Sequence, residues 1–223
     1  MMDVLIRQFN QIIPYQLVWK AMRRFTAQRE PTTTDEIWIL EHLPIFTQGL
    51  AANPKHILNT HEIPLIQCDR GGEVTYHGPG QLIVYLLLDL NRLNLKTRSF
   101  VRAIENSVID YLKELGIIGK GKEEAPGVYV GEAKIASIGL RIRKGWSYHG
   151  LAFNVAMDLT PFTYINPCGF KGLMMTQICD YLSNINLTIV RQGIIPPLLK
   201  NFGYNQSLIK TENSLEYLTD VSL

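Results

Sequence analysis

The chain has 223 residues, 46% of them hydrophobic and 19% charged. That composition excludes a disordered chain, a collagen and a coiled coil, and the length suits one large domain or two small ones. With 22 Lys and Arg against 20 Asp and Glu, the net charge of +2 is too small to indicate nucleic acid as a partner. The chain has three cysteines and no CxxC pair, which argues against a disulfide scaffold and against a zinc site.

The N-terminal segment and the longest apolar run show no sign of a targeting or membrane-spanning segment. Residues 1–16 lack a basic segment followed by an apolar one, so we expect no secretory signal. The longest apolar run, residues 82–88, is far shorter than the roughly 20 residues that a membrane-spanning helix needs. The sequence therefore predicts a cytoplasmic protein that does not enter a membrane.

Hydrophobic periodicity and turn residues predict helices and strands in alternation along the chain. In chain order we expect a strand over 1–9, a helix from Pro14, a strand over 36–43, a loop over 44–59, strands over 63–68 and 81–88, a helix from Ser99 to Leu115, strands over 127–130, 134–143 and 148–157, and a helix capped by Thr176. Lys144-Gly145-Trp146 predicts a hairpin, and Pro196-Pro197 is expected to break the structure that follows. This pattern predicts a single α+β domain over 1–223, in which the tail after about residue 188 is only weakly assigned.

A glycine-rich segment, residues 70–81, reads RGGEVTYHGPGQ. Its four glycines allow the backbone to approach a ligand closely or to adopt positive φ. No GK[ST] follows them, so this is not a nucleotide-binding P-loop. The alternative is a plain loop between two strands, in which His77 is simply a satisfied histidine.

Three later segments also carry more glycine and polar residues than packing requires. Lys134 begins a half-buried strand, where a lysine is most often a surface group with a buried stem. The strand over 148–155 begins with His149 and Gly150, and glycine there can mark the close approach of a ligand. Cys168 lies on a turn between Pro167 and Gly169, whereas Cys68 ends an apolar strand and Cys179 lies in the predicted last helix, as core cysteines do.

Taken together, these segments resemble the lipoyl(octanoyl) transferase family. RGGEVTYHGPGQ, PGVYVGEAKIASIGLRI, YHGLAFNV and INPCG occur in the family's order and spacing between residues 70 and 169. The resemblance implies a mixed sheet flanked by helices, as in the catalytic domain of biotin and lipoate protein ligases. It departs from many relatives after Tyr85, where they place a proline and this chain has leucine.

The resemblance also implies the site. Cys168 and Lys134 match the family's catalytic pair, and the residues implied to line an acyl pocket are Arg70, Gly71, Gly72, Glu73, Val74, Thr75, Tyr76, His77, Ser137, Ile138, Gly139, Gly150, Leu151 and Ala152. The expected donor is octanoyl-acyl carrier protein. The expected acceptors are the lipoyl domains of 2-oxoacid dehydrogenases and the glycine cleavage H protein, with no metal and no cofactor.

Elementary chemistry agrees with these roles. Octanoyl arrives as a thioester, so its exchange onto a cysteine is nearly thermoneutral and needs no ATP. An ammonium close to a thiol favours the thiolate, which is the nucleophile. A neutral lysine can later accept a proton from the attacking amine, and backbone N–H groups near Cys168 and around Gly150–Ala152 are expected to stabilise the oxyanion.

Three other functions fit parts of the sequence. An ATP-dependent lipoate ligase on the same fold would not require a nucleophilic cysteine. A non-catalytic binding module would dock a carrier protein but give no reason for a cysteine on this turn. A Cys-His hydrolase would pair Cys168 with His149 or His77, and the residue types permit it.

Overall fold

A mixed eight-stranded sheet forms the centre of the computed structural model, which describes residues 3–212 and 216–219. Its hydrogen-bonded order is β11-β1-β2-β6-β10-β9-β8-β7, and a smaller sheet has the order β4-β3-β5. The strands are β1 (Asp3–Ile13), β2 (Asp35–His42), β3 (Ile45–Gln48), β4 (Leu65–Gln67), β5 (Thr75–His77), β6 (Gln81–Leu87), β7 (Gly119–Gly121), β8 (Gly127–Val130), β9 (Ala133–Arg143), β10 (Trp146–Asn154) and β11 (Gln206–Glu212).

Five α-helices accompany these strands in the described part of the chain. They are α1 (Tyr15–Gln28), α2 (Thr97–Glu114), α3 (Leu187–Gly193), α4 (Ile195–Phe202) and α5 (Glu216–Thr219). Strand β1 pairs in parallel with β2 and β11, and the other pairs of the large sheet are antiparallel. The predicted mixed sheet with flanking helices is therefore confirmed.

The sheet is covered on both faces, which explains why β6 is an unbroken apolar run. Leu82, Val84 and Leu86 belong to the core beneath α2 and α4. Ile83 and Tyr85 point to the opposite face and pack in the cluster that contains α1. Because successive side chains of a strand alternate between faces, a strand buried on both sides must be apolar throughout.

The predicted hairpin is confirmed, with β9 and β10 joined by Lys144 and Gly145. Both residues have positive φ, 53° and 85° respectively. Two consecutive residues at positive φ are typical of the tight turn whose twist matches that of an antiparallel pair.

The prediction of a helix capped by Thr176 is wrong. Only a short 3₁₀ turn forms there, over Ile178–Asp180. The backbone N–H of Thr176 instead binds the carbonyl of Lys134, and the Asp180 carboxylate accepts hydrogen bonds from the Thr176 hydroxyl and the Gln177 backbone. These bonds hold the segment against β9 in an extended conformation. Cys179 is therefore half-buried in a turn rather than part of a helix.

The expectation that Pro196-Pro197 breaks the structure is also wrong, because the two prolines lie in the first turn of α4. The N–H groups of a first turn have no intrahelical acceptor, so proline costs nothing there. Strand β11 was not predicted at all. It adds to the edge of the sheet beside β1.

Several predicted helices and strands begin or end at other residues in the structure. The expected loop over 44–59 contains β3, and the expected strand over 63–68 shrinks to β4. Helix α2 begins at Thr97, so Ser99 lies within its first turn and does not cap it. The first strand extends beyond residue 9 to Ile13, whereas Met1 and Met2 of that prediction lie outside the described residues. No helix among the described residues is both long and apolar enough to cross a bilayer.

Candidate active site

A cavity of about 410 Å³ lies on the face of the sheet that α1 covers. Its floor is formed by small residues at cross-strand positions of β9 and β10: Ser137 pairs with Ala152, and Gly139 pairs with Gly150. Ile83 and Tyr85 of β6 continue these two rows across the sheet. A side chain at Gly139 would meet Arg70 in the cavity wall, and a Cβ at Gly150 would lie 2.1 Å from the carbonyl oxygen of Val84 in β6, so small residues at these positions keep a trough open on the sheet.

The glycine-rich segment forms one wall of this cavity. The N–H of Gly71 donates to the carbonyl of Leu140 in β9 at 2.8 Å, which fixes the segment against the sheet. Arg70 is buried and donates to the backbone oxygen of Thr47 at 2.5 Å and to its hydroxyl oxygen. The segment is thus a rigid wall rather than a free connector.

Cys168 lies at the cavity on a strained turn. Its φ of 56° and ψ of 18° are in the left-handed region, which few residues other than glycine adopt. The Cys168 N–H donates to the carbonyl of Val74 at 3.1 Å, and the N–H of Gly169 donates to that of Asn166. Residues held in this region are typical of active sites, where surrounding contacts impose the conformation.

Lys134 brings its ammonium to the thiol. Its Nζ lies 3.2 Å from Cys168 Sγ, although the residue is only 1% exposed. The centroid of the Tyr129 ring lies 5.3 Å from Nζ, and among the described residues no carboxylate comes within 4.0 Å of Nζ. A buried ammonium without a carboxylate partner is costly. The pair therefore favours either a thiolate beside the ammonium or two neutral groups.

Backbone hydrogen bonds hold the two catalytic candidates in register. The N–H of Lys134 donates to the carbonyl of Met174, and the Lys134 carbonyl accepts from Thr176. The segment that follows Cys168 is thereby tied to the first residues of β9. The sequence expectation of a surface lysine with a buried stem is wrong for this residue, because its whole side chain is enclosed.

Gly127 leaves the space that the Lys134 side chain occupies. A Cβ at this position would lie 2.4 Å from Lys134 Cε and 2.4 Å from the carbonyl oxygen of Ala136, and its φ is +140°. We expect Gly127→Ala to displace Nζ from Cys168 and to lower the rate of acyl transfer on the order of 10²-fold, because small misplacements of reacting groups are that costly. Steady-state transfer assays check this.

Gly131→Ala is the matched control for that substitution. Gly131 also has positive φ, 58°, but nothing lies within 4 Å of the added Cβ. Its φ lies in the left-handed region, which residues with a Cβ can adopt, so its variant has a smaller backbone cost than Gly127→Ala and does not touch Lys134. Equal loss of activity in the two variants would contradict a specific role of Gly127.

The histidines near the cavity are engaged elsewhere. His149 Nε2 lies 2.9 Å from Asp69 Oδ1, and the two nitrogens of His77 contact Thr47 Oγ1 and Gln81 Oε1. In the part of the chain that the structure describes, neither ring lies within hydrogen-bonding distance of Cys168 Sγ, whereas Lys134 does. The geometry therefore gives a Cys-Lys pair and no Cys-His pair.

Two buried histidines make stability depend on pH. Burial lowers the pKa of His42 to about 4 and that of His77 to about 3, against 6.5 for an ordinary histidine. As the pH falls, the unfolded chain gains these protons first, so stability is fully present above about pH 6.5 and is lost towards pH 4. We expect the free energy of unfolding in urea to fall by roughly 1.4 kcal/mol per pH unit for each histidine between about pH 6 and 4.5.

His42→Gln tests this assignment because it removes one of the two groups. The slope of unfolding free energy against pH should become smaller by roughly 1.4 kcal/mol per pH unit in that window, the contribution of one histidine. A slope that keeps its full value in both His42→Gln and His77→Gln would show that other groups carry it.

Similarity to known proteins decides the family. Residues 14–198 match the lipoyl protein ligase A/B catalytic domain. An octanoyltransferase of Coxiella burnetii (strain Dugway 5J108-111) is 67% identical over 220 residues, which cover 99% of this chain and 91% of that protein. The chain belongs to the lipoyl(octanoyl) transferase family. The resemblance carried by the four motifs is therefore confirmed.

Solved structures show that this lipoyl(octanoyl) transferase shares its fold with ligases. A bi-partite lipoate protein ligase from Thermoplasma acidophilum superposes with a TM-score of 0.75 at 16% identity, covering 97% of this chain and 89% of that one. A biotin protein ligase from Aquifex aeolicus in complex with biotin and ATP gives a TM-score of 0.54 at 12% identity, covering 91% and 71%. At such identities the likeness shows the fold alone.

The transferase cavity brings together most residues that the sequence resemblance implied. Cys168, Lys134, residues 70–75, His77, residues 137–139 and residues 150–152 all line it. Tyr76 does not: its ring packs against Phe46 and Phe162 in a separate core cluster. Alternation along β5 explains this, since Tyr76 points away from the face that Thr75 and His77 present.

Several lining residues were not predicted from the sequence. They are Tyr15, Ile83, Tyr85, Thr97, Val101, Glu124, Ala125, Pro126, Leu140, His149 as a pocket residue, and Phe170. They come from β6, β9, β10, two helices, the loop over 124–126 and the turn after Cys168. Pro126, Leu140 and His149 lie within the quoted motifs, whereas the others lie outside them. In the described chain, no three His, Cys, Asp or Glu residues converge in a way that could hold a metal ion.

Proposed function

We propose that this chain transfers an octanoyl group from acyl carrier protein to the acceptor lysine of lipoyl domains, through a thioester on Cys168. The single observation that carries the proposal is the 3.2 Å contact between Lys134 Nζ and Cys168 Sγ at an apolar cavity. The octanoyltransferase named among its relatives, 67% identical over almost the whole chain, supports the same chemistry. The reaction belongs to the cytoplasm, where both protein substrates would be met.

The first half-reaction exchanges one thioester for another. The Cys168 thiolate attacks the carbonyl carbon of the octanoyl thioester, and the tetrahedral intermediate expels the thiolate of the carrier's prosthetic arm. The Lys134 ammonium stabilises the attacking thiolate and then supplies the proton that the leaving thiolate takes up. One C–S bond forms and one breaks, so ATP is not required.

The second half-reaction forms the amide. The amine of the acceptor lysine attacks the Cys168 thioester, Lys134, now neutral, accepts a proton from the attacking nitrogen, and Cys168 leaves as a thiolate. The resting pair, thiolate beside ammonium, is thereby restored.

We place the oxyanion beside backbone N–H groups close to Cys168, as the sequence predicts, but not beside Gly150–Ala152. Gly150–Ala152 is not a turn but the interior of β10, paired with both β6 and β9, and the N–H groups of Cys168, Gly169 and Phe170 already have acceptors. Among the described residues, the N–H groups of Gly72 and Glu73 have none. They lie in the wall that contacts Cys168, and we assign oxyanion stabilisation to them.

The lining of the cavity suits an apolar acyl chain. The trough floor offers glycine, alanine and serine, while Ile83 and Tyr85 on the same face of the sheet supply apolar surface. Each methylene buried there contributes about 0.8 kcal/mol, so an eight-carbon chain gains ample affinity. Both the lipoyl domains of 2-oxoacid dehydrogenases and the glycine cleavage H protein present a lysine that could reach Cys168.

The test separates this function from an ATP-dependent ligase and from a binding module. Transfer to a lipoyl domain is measured with octanoyl-acyl carrier protein without ATP, and with free octanoate plus ATP. We expect the first to proceed and the second to give no product. Product from octanoate and ATP alone would establish a ligase, and no product from either donor would favour a module that only docks carriers.

A further inference from the structure

His149 interrupts the alternation of side chains between the two faces of β10. Its φ is 60°, in the left-handed region, although it lies within the strand. Successive strand residues normally point to opposite faces, yet Tyr148 and His149 both contact the Asp69 carboxylate and their rings stack at 5.0 Å. The strained backbone therefore turns the imidazole towards the face that contains the cavity.

The His149 ring presents an unused acceptor. Its Nε2 faces the Asp69 carboxylate, so in the neutral ring the hydrogen lies on Nε2, and burial lowers the pKa of the ring. Nδ1 is left with a lone pair, is buried, and has no hydrogen-bond partner in the described chain. His149 lines the cavity and is 1% exposed.

A second buried polar atom lines the same cavity. The Tyr15 hydroxyl, in a residue that is 2% exposed, also has no nitrogen or oxygen partner in the described chain. Its polar neighbour is the Cys68 thiol, whose own hydrogen points to the carbonyl of Gln48 at 3.2 Å. Sulfur is a weak acceptor, so the hydroxyl remains available as a donor.

These two atoms lie away from the reactive thiol. Lys134, which contacts Cys168, is near the beginning of β9, whereas His149 pairs with Leu140, six residues further along that strand. At about 3.3 Å per residue this places the histidine backbone roughly 20 Å from that of Lys134. The small-residue trough lies between them, so an acyl chain that starts at Cys168 runs towards His149.

We propose that His149 Nδ1 and the Tyr15 hydroxyl form a polar subsite at the end of the acyl slot, which stops an alkyl chain and takes a hydrogen-bonding group such as a water molecule or a terminal hydroxyl. This inference rests on the proposed function, since it assigns chain selection within the same cavity. A longer alkyl chain must cover both polar atoms and leave them unpaired. The free-energy cost of leaving such atoms unpaired exceeds the gain from burying one further methylene, so the two atoms limit the length of the alkyl chain.

Two acyl donors of equal heavy-atom length test the subsite directly: nonanoyl and 8-hydroxyoctanoyl carrier protein. They differ only in whether the chain ends in a methyl group or a hydroxyl group. We expect the ratio of kcat/KM for the hydroxylated over the alkyl donor to fall roughly tenfold in Tyr15→Phe and in His149→Phe. Each variant removes a hydrogen bond to the terminal hydroxyl and offers the terminal methyl group an apolar ring instead.

Tyr111→Phe is the matched control. The Tyr111 hydroxyl is also buried without a partner, but it lies under the opposite face of the sheet, against Phe153, and outside the cavity. Its variant should keep the wild-type ratio. If His149→Phe fails to fold, Tyr15→Phe still tests the subsite, because Tyr15→Phe removes one oxygen and leaves the hydrogen bonds of Asp69 intact.

An unchanged ratio in Tyr15→Phe and in folded His149→Phe would overturn the subsite. So would an equal change in Tyr111→Phe. Failure of the proposed function has a different signature: the wild-type protein itself would transfer no octanoyl group from the carrier, whatever the chain terminus.

Discussion

Cys168→Ala should lower octanoyl transfer by at least about 10³-fold while leaving the fold intact. The substitution removes the proposed nucleophile, and no other thiol in the described chain lies beside a buried ammonium. Alanine adopts the left-handed conformation at about the same cost as cysteine, since both carry a Cβ, so the turn itself should be preserved. The measurement is kcat for transfer to a lipoyl domain, with the thermal unfolding midpoint as a check of folding.

Cys179→Ala is the control for that result. Cys179 is a half-buried free thiol in a turn, no lysine of the described residues lies within hydrogen-bonding distance of it, and its variant should retain full activity. Comparable activity in Cys168→Ala and Cys179→Ala would remove Cys168 from the mechanism. A direct transfer from carrier to lysine would then have to be considered.

Lys134→Met should reduce transfer on the order of 10²- to 10⁴-fold, the range that a positioned acid or base supplies. Methionine keeps most of the side-chain volume in this enclosed site but provides neither charge nor proton. Without the ammonium the thiolate loses its partner, so alkylation of Cys168 by iodoacetamide should also slow. Both the transfer rate and the alkylation rate are therefore measured.

Lys122→Met provides a close control, because Lys122 lies over the same Tyr129 ring, at 4.5 Å, but is exposed and paired with Glu132. Surface pairs of this kind contribute little, and we expect no change in either rate. If Lys134→Met behaved like Lys122→Met, the base and ion-pair roles of Lys134 would both be wrong.

The proposed catalytic pair could be predicted from the sequence because its signal is local. Cys168 lies between proline and glycine, a setting unsuited to a core cysteine, and the family motif supplies Lys134. The reason that Lys134 can be buried is not local. It depends on Gly127, seven residues earlier, and on the return of residues 174–176 to β9, neither of which has a periodic pattern.

The region after Thr176 shows where sequence reasoning fails. Its apolar spacing and a threonine favoured a helix, but hydrogen bonds to Lys134 and to Asp180 hold an extended segment instead. Tertiary contacts of this kind override local propensity. Likewise, His149 reads as an ordinary strand residue, and only its left-handed backbone turns it into the cavity.

The most direct test of the Cys168 thioester is the intact mass of the protein after incubation with octanoyl-acyl carrier protein. We expect an increase of one octanoyl group that hydroxylamine removes, that is absent in Cys168→Ala, and that disappears in one turnover when a lipoyl domain is added. A wild-type protein that transfers octanoyl to the lipoyl domain without ever showing this mass, or that retains the adduct when the acceptor is added, would contradict the account.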